Sequence, residues 1–172
     1  MSNKIINKKL FFKKTFVYFG IVLFIFLLDR FSKLYILSIL ENSGEVDIYI
    51  NSYINFILIW NKGIAFGLLS FNENFVYNLI TFLIVIINVI IILMIVRSNN
   101  ISIYFLLFIL GGSLGNLFDR MYYFAVPDFI DFHINDFHWF IFNVADIFIS
   151  LGVLCLIINE IFFDKKLSNE VK

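Results

Sequence analysis

Residues 111–150 have the sequence GGSLGNLFDRMYYFAVPDFIDFHINDFHWFIFNVADIFIS, in which two apolar runs meet across a short link rich in aspartate. Asp146 lies inside the second run, which otherwise has the composition of a membrane-spanning helix. A carboxylate in hydrocarbon is costly, so such a residue marks a functional site by default. We therefore expect a polar site at a membrane boundary, with Asp146 and the link residue Asp128 at its centre.

The composition of the whole chain is that of an integral membrane protein. Of its 172 residues, 61% are hydrophobic and 15% are charged, whereas soluble domains are about 45–50% apolar and about 25% charged. The formal net charge is zero, which gives no reason to expect a nucleic-acid partner. The single cysteine, Cys155, cannot form an internal disulfide. The length fits one domain that covers residues 1–172.

Four long segments with few or no charges predict four transmembrane helices. The predicted spans are residues 15–38, 75–96, 101–118 and 137–159. The second would be about 33 Å long as a helix, which is enough to cross a bilayer core. A basic segment precedes the first span, but no small-x-small cleavage site follows it. We therefore interpret this span as an uncleaved helix rather than a signal peptide.

The segment between the first two spans predicts a small β-sheet. Apolar and polar residues alternate from Val46 to Ile50, and this period of two is typical of strands. Asn61-Lys62-Gly63 is a turn signal, after which Ile64–Leu69 could return as another strand. The predicted fold class is therefore an all-α integral membrane protein: four transmembrane helices, with a small extracytoplasmic β-sheet (about residues 45–69) between the first and second.

Cationic residues concentrate on one side of the predicted bundle. Five lysines precede the first span, Arg97 lies between the second and third, and three lysines follow the fourth. Cytoplasmic loops are enriched in Lys and Arg, so both termini are predicted to be cytoplasmic. The sheet and the link of residues 119–136 then face outward. The polar ends of the first, third and fourth helices meet at one depth, the outer leaflet.

Polar residues at these helix ends are candidate site residues, although most also have a structural interpretation. Asn143, Asp146 and Ser150 share one face of the fourth predicted helix. Hydrogen bonds between helices, worth about 0.6–2 kcal/mol each, suffice to explain Asn143 and Ser150 but not an ionisable Asp146. In the first helix, Asp29 and Lys33 are four residues apart and can form an ion pair.

The third predicted helix combines small residues with a polar end. Gly111 and Gly115 have a spacing that favours close helix packing. Asn116, Asp119 and Arg120 follow. The two charged residues favour a structural brace for the link that comes after them.

The link and its flank also contain Asp131, Asp136, His133 and His138. An Asp/His cluster can bind a divalent metal, but no spacing typical of a known metal motif is present. We therefore expect neither a metal nor any other cofactor.

At these positions the chain resembles the lipoprotein signal peptidase (signal peptidase II) family, the membrane aspartic peptidases of bacteria. Five motifs carry the resemblance, in the family's order and spacing: Asp29-x-x-Ser32-Lys33, Asn61-x-Gly63-x-Ala65-Phe66-Gly67, Gly112-x-x-Gly115-Asn116-x-x-Asp119-Arg120, Val126-x-Asp128-Phe129-x-Asp131 and Phe142-Asn143-x-Ala145-Asp146. Each motif alone is weak, and the five together are specific. Pro127, where an aliphatic residue is common in the family, is a departure that removes no functional group.

The resemblance implies one membrane peptidase domain with Asp128 and Asp146 as the catalytic residues. The residues that it implies bind substrate or support the site are Asp29, Lys33, Asn61, Gly63, Asn116, Asp119, Arg120 and Asn143. The implied reaction removes the signal peptide from a diacylglyceryl-modified bacterial prolipoprotein, cutting before the lipidated cysteine, with no cofactor. The implied enzyme is a monomer in the bacterial cytoplasmic (inner) membrane, in contact with membrane lipid.

Two other classes of protein fit part of the sequence. Intramembrane aspartates also serve as proton relays, so a small proton-coupled transporter is the main alternative. That function predicts carboxylates spread through the membrane depth, whereas the inner half of the predicted bundle is nearly apolar apart from Asn88. A purely structural membrane protein leaves Asp146 unexplained.

Overall fold

The structure is a computed structural model that describes residues 2–63, 73–135 and 137–164, with side chains for residues 13–63, 74–135 and 137–162. In chain order its elements are α1 (Ser2–Ser43), β1 (Asp47–Asn51), β2 (Ile54–Asn61), α2 (Glu73–Arg97), α3 (Ser102–Tyr123), β3 (Val126–Ile134), β4 (Phe137–Phe142) and α4 (Val144–Asn159), with a π-helical turn at Glu160–Asp164.

Four helical segments are long and apolar enough to cross a membrane: Lys13–Ser43, Asn74–Arg97, Ser102–Tyr123 and Val144–Phe162. This confirms the four predicted helices. In α3, 56% of the residues in its apolar 18-residue window are buried, against 11–17% in the corresponding windows of the other three. α3 is therefore the central helix of the bundle, and the other helices turn most of their apolar surface outward, as lipid contact requires.

The third helix continues past the predicted end at residue 118. α3 runs to Tyr123 and ends at Phe124, which adopts a left-handed conformation with a φ of 57°. Asp119 and Arg120 are thus helical residues, not members of a link. The helix continues through these two charged residues because both side chains are buried against groups of other elements.

The fourth helix begins later than predicted. Residues 137–142 form the strand β4, and α4 starts at Val144 with Asn143 as its N-cap. The Asn143 side chain accepts a hydrogen bond from the Asp146 backbone N–H, which defines the start of the helix. An apolar strand can be as hydrophobic as an apolar helix. Mean hydropathy therefore does not separate residues 137–142 from the helix that follows them. Asp146 lies in the first turn of α4 and not deep within a span.

The sheet has four antiparallel strands in the order β1-β2-β3-β4. β1 and β2 lie between the first two helices, as predicted, and join at Ser52-Tyr53. The expectation that the whole sheet lies there is wrong, because β3 and β4 come from the connection between α3 and α4. The predicted strand at Ile64–Leu69 lies outside the described residues.

Small residues let α3 approach its neighbours closely, as the glycine spacing predicts. A Cβ atom on Gly112 would lie 2.5 Å from the carbonyl oxygen of Ala145 in α4. A Cβ atom on Gly115 would lie 2.5 Å from a carboxylate oxygen of Asp29 in α1. A larger residue at either position would force the neighbouring atoms to move. The glycines therefore bring the polar residues of α1 and α4 within reach of those on α3.

Candidate active site

A buried ionic cluster joins α1 to α3. The Lys33 ammonium lies 2.8 Å from Oδ2 of Asp29 and 2.6 Å from Oδ2 of Asp119, and its side chain is fully buried. Arg30 forms an ion pair with the other oxygen of Asp119. The cluster contains two cations and two anions. Its charges therefore cancel, as buried charges require.

The cluster makes contact with the start of α4. Oδ1 of Asp29 accepts a hydrogen bond from the Ala145 backbone N–H at 2.9 Å. The Lys33 ammonium also donates to Oδ1 of Asn116 at 2.9 Å, and Nδ2 of Asn116 donates to Oδ1 of Asp146 at 2.8 Å. The ionic cluster thus positions Asp146 through one amide and one backbone contact.

Asp146 takes part in a capping box at the N-terminus of α4. Its backbone N–H donates to Oδ1 of Asn143, and its Oδ2 accepts from the Asn143 backbone N–H, each at 3.1 Å. A carboxylate in the first turn of a helix also interacts favourably with the helix dipole. Asp146 therefore has donors on both oxygens: the Asn116 amide on Oδ1 and a backbone N–H on Oδ2.

Both carboxylate oxygens of Asp128, the third residue of β3, also accept hydrogen bonds. Its Oδ2 accepts from Nδ2 of Asn61 at 2.8 Å, and its Oδ1 accepts from Nδ2 of Asn143 at 2.6 Å. Asn143 thus connects the two aspartates, because it caps the helix that carries Asp146 and donates to Asp128.

The orientation of each of the three asparagine side chains is fixed by a hydrogen bond that its amide oxygen accepts. The amide oxygen of Asn61 accepts from the Gly63 N–H at 2.6 Å, that of Asn116 accepts from Lys33, and that of Asn143 accepts from the Asp146 N–H. Turning any amide over would set a donor against a donor. All three NH2 groups must therefore point at a carboxylate.

A β-bulge in β2 places Asn61 on the correct face of the sheet. The register runs from Phe56 opposite Ile130 to Ile59 opposite Asp128, so β2 has one more residue than β3 over this stretch. Asn61 then lies opposite Val126 and shares the face of Asp128. Without the extra residue, Asn61 would point to the other face, because side chains alternate along a strand.

Burial raises the pKa of Asp128 from 3.8 to about 6. The hydrogen bonds from Asn61 and Asn143 oppose this rise, and the negative charge of Asp146 adds to it. The folded protein holds the Asp128 proton more tightly than the unfolded chain does. The stability that comes from the neutral form is therefore complete below about pH 4 and is lost as the pH rises through about 6.

Replacing Asn61 by alanine is expected to raise the pKa of Asp128 above about 6, because Oδ2 loses the donor that favours its ionised form. The carboxyl stretching band in infrared spectra taken across pH measures this midpoint, and Asp128→Asn assigns the band. Asn55→Ala, which changes an amide on the same strand without a bond to Asp128, should leave the midpoint unmoved. A midpoint in Asn61→Ala at or below the wild-type value would contradict this account.

Asp128 and Asp146 both face a cavity of about 180 Å³. Its lining residues are Asn61, Ile84, Ser113, Asn116, Arg120, Val126, Asp128, Asn143, Asp146 and Ile149. The cavity thus brings together one residue of β2, two of β3, residues of α2, α3 and α4, and the cap of α4. Two carboxylates at one small cavity, both buried or partly buried, can share a proton and polarise a water molecule between them.

Nine of the ten predicted site residues fall into two groups, and the tenth, Gly63, lies against the Arg120 guanidinium. Asn61, Asn116, Arg120, Asp128, Asn143 and Asp146 line the cavity. Asp29, Lys33 and Asp119 lie behind it as the buried ionic cluster. Asp119 and Arg120, predicted to brace the link, each contact other elements: Asp119 pairs with Arg30 and Lys33. The Arg120 backbone oxygen accepts from Tyr77, and its guanidinium lies over the Tyr77 ring.

The predicted site residues do not include four residues that line the cavity: Ile84, Ser113, Val126 and Ile149. Ser113 lies one turn before Asn116 on α3, a spacing that puts both on one helix face and that could have identified it. The two isoleucines carry no such signal, because they are apolar residues within apolar spans.

The fold and this cavity define a class: a multi-pass membrane protein with paired carboxylates at one end of its helical bundle. Residues 21–162 match the family model described as signal peptidase (SPase) II. A protein of Pelagibacter ubique (strain HTCC1062) named lipoprotein signal peptidase is 52% identical over 162 residues, which cover 94% of this chain and 98% of that protein. One with the same name from Anaplasma phagocytophilum (strain HZ) is 40% identical over 134 residues, covering 78% and 85%.

Two solved structures described as bacterial membrane enzymes, determined by the in meso method, share the fold. One, at 1.9 Å resolution, superposes with a TM-score of 0.69, covers 86% of this chain and 94% of its own, and is 26% identical. The other, at 2.3 Å, has a TM-score of 0.64 at 26% identity, with coverage of 89% and 90%.

The chain belongs to the signal peptidase II family. It is therefore an aspartic peptidase of lipoprotein processing, and the family assignment confirms the resemblance found in the sequence. The alternative of a proton-coupled transporter is not supported.

Proposed function

We propose that the chain cuts diacylglyceryl-modified prolipoproteins immediately before the lipidated cysteine, with Asp128 and Asp146 as the catalytic pair. The observation that carries this assignment is their shared cavity, in which each oxygen of both carboxylates accepts one hydrogen bond. The remaining lone pairs of the carboxylates are free for a water molecule and a shared proton.

The proposed cleavage reaction requires that the carboxylates of Asp128 and Asp146 carry one proton between them. The ionised aspartate takes a proton from a water molecule, whose oxygen attacks the scissile carbonyl, while the protonated aspartate donates to the carbonyl oxygen. Collapse of the tetrahedral intermediate breaks the C–N bond, and the leaving nitrogen takes back a proton.

Arg120 supplies a donor for the substrate in this mechanism. Arg120 lines the cavity, and its Nη1 has no hydrogen-bond partner among the described residues. An unpaired guanidinium N–H is costly when buried. A peptide carbonyl of the bound precursor would satisfy it, so we assign Arg120 to substrate binding.

Gly63 keeps Arg120 in that position. Gly63 has a φ of 79°, and a Cβ atom on it would lie 2.6 Å from Nη2 of Arg120. Gly44 has a φ of 81°, with nothing within 4 Å of its would-be Cβ. Gly63→Ala and Gly44→Ala should each cost about 1–2 kcal/mol of stability for the left-handed backbone. Only Gly63→Ala should also displace the guanidinium and lower the rate of cleavage.

Thermal unfolding and cleavage assays on the two variants measure this pair of effects. Equal cleavage rates in Gly63→Ala and Gly44→Ala would show that the contact with Arg120 has no role in the reaction.

The site is proposed to lie at the outer leaflet, with both termini in the cytoplasm. α1 and α3 end, and α4 begins, at the sheet, while the cations Lys13, Lys14 and Arg97 belong to the opposite helix ends. The lipid of the substrate then stays in the bilayer. Labelling of intact cells with an impermeant maleimide tests the orientation in a Cys155→Ala background: Tyr49→Cys should react and Asn99→Cys should not.

Cleavage of matched precursors by the purified protein tests the substrate assignment. A diacylglyceryl precursor and the same peptide without lipid are compared under identical conditions, with an Asp128→Asn sample to exclude a contaminating peptidase. Cleavage of the lipidated form alone is expected, and the protein is expected to act as a monomer. Equal cleavage of both forms would overturn the lipid requirement.

A further inference from the structure

We propose that Asp131, His133 and His138 bind a divalent transition-metal ion of the Zn²⁺ type, at a site on the sheet separate from the catalytic cavity. The spacing of these residues along the chain matches no metal motif. The register of the β3–β4 hairpin brings them together instead.

Strand geometry places the three side chains on one face. Asp131 and His133 are two apart in β3, so both point to the same side of the sheet. His138 in β4 lies directly opposite His133 in the antiparallel register, which puts it on that side as well. Asp128, three residues before Asp131, points to the other side.

The ligand atoms converge on one point. Nδ1 of His138 lies 2.8 Å and Nδ1 of His133 lies 3.2 Å from the same oxygen, Oδ2 of Asp131. One ligand atom from each of the three residues lies within 4.8 Å of the others. Ligands about 2.0–2.1 Å from a tetrahedral ion are separated by about 3.3 Å, so only a small outward movement would admit a metal.

The burial and charge of Asp131 also favour a cation. Its side chain is fully buried, and Oδ1 has no hydrogen-bond partner among the described residues. No lysine or arginine of the described residues forms an ion pair with it. A buried carboxylate needs a compensating positive charge. A metal ion bound by two neutral imidazoles would supply that charge.

The cluster also has access to solvent. The His138 side chain is 53% exposed, and this open side could admit an ion and leave a coordination position for water. None of the three residues lines the Asp128–Asp146 cavity. The metal would therefore link β3 to β4, and the peptidase chemistry would not use it.

Zn²⁺ titration by calorimetry of the full chain, purified without a polyhistidine tag, tests the proposal. The chain contains only two histidines, so a histidine-bound metal identifies this site. We expect one ion per chain and a higher melting temperature with Zn²⁺. Loss of a partner outside the coordination sphere weakens metal sites about 10–100-fold, so His133→Ala and His138→Ala should weaken binding at least that much.

Two further samples complete the experiment. Asp47→Asn removes an exposed carboxylate from the far edge of the same sheet and should bind Zn²⁺ as the wild type does. Co²⁺ in place of Zn²⁺ should give the intense visible absorption of a four-coordinate site, and His138→Ala should abolish it. Absence of saturable Zn²⁺ binding, or wild-type affinity in both histidine variants, would overturn the proposal and leave an ordinary Asp–His hydrogen-bonded cluster.

Discussion

Replacement of Asp146 by asparagine is expected to lower the cleavage rate of a diacylglyceryl precursor by about 10²–10⁴-fold, the usual contribution of a general acid or base. The amide cannot take a proton from water, and it cannot share one with Asp128. Binding of the lipidated precursor should persist, because the lipid and most of the peptide contact other parts of the protein. The loss should therefore fall on kcat and not on KM.

The same substitution has a small structural effect that must be separated from the chemistry. Both oxygens of Asp146 accept from donors, Nδ2 of Asn116 and the Asn143 backbone N–H. An asparagine can satisfy only one of them and sets its NH2 group against the other, which costs about 1–3 kcal/mol. Thermal unfolding of Asp146→Asn measures this cost.

A double variant, Asn116→Asp with Asp146→Asn, provides the matched control. It exchanges the carboxylate and the amide across one hydrogen bond, so the formal charge and a donor–acceptor pair are both kept. Lys33 can still donate to an aspartate at position 116. We expect stability to recover in part while activity stays low. Recovery of activity would show that the reaction does not need a carboxylate at position 146.

The sequence predicted the four helices and the polar residues well because each has a strong local signal. Long uncharged runs identify spans, and Asp29, Asn116 and Asp146 are conspicuous against apolar neighbours. The resemblance to a family then connected residues that lie far apart in the chain. Asn61, Asn116 and Asn143 each donate a hydrogen bond to one of the two aspartates, and the supporting roles that the resemblance implies for them stay predictions.

The sheet was harder to predict because its pairing is not local. β3 and β4 consist mostly of apolar residues, and β2, which pairs with β3, lies more than 60 residues before it in the chain. Nothing in the sequence marks the bulge between Phe56 and Ile59, yet it decides which face Asn61 occupies. Likewise, the pairing of His133 with His138 follows from the hairpin register and not from a spacing motif.

The start of α4 changes the physical meaning of Asp146. Placed about nine residues into a span, its carboxylate would face a large desolvation cost. In the first turn of α4 it gains the capping box, the Asn116 amide and the helix dipole. An Asn-x-x-Asp pattern ahead of an apolar run is a signal for a helix start, and it carries this information in the sequence. The N-terminus of α4 therefore stabilises the carboxylate of Asp146.

Replacement of Lys33 by methionine is expected to have the largest effect on stability, about 3–5 kcal/mol, the usual cost of removing one partner from a buried ion pair. The ammonium contacts Asp29 at 2.8 Å, Asn116 at 2.9 Å and Asp119 at 2.6 Å. Methionine keeps most of the volume and removes the charge. Among the described residues, Arg30 is then the one cation paired within the cluster, beside the two buried carboxylates. Unfolding in detergent, followed by circular dichroism against temperature, measures the loss.

Two further variants separate charge from packing in this experiment. Lys62→Met removes an exposed cation next to Gly63 and should leave the unfolding midpoint nearly unchanged. Lys33→Met combined with Asp29→Asn restores the charge balance, and the asparagine oxygen can still accept from the Ala145 N–H. The double variant should therefore be more stable than Lys33→Met alone. A double variant that is no more stable than Lys33→Met would show that the charge balance of the cluster does not decide its stability.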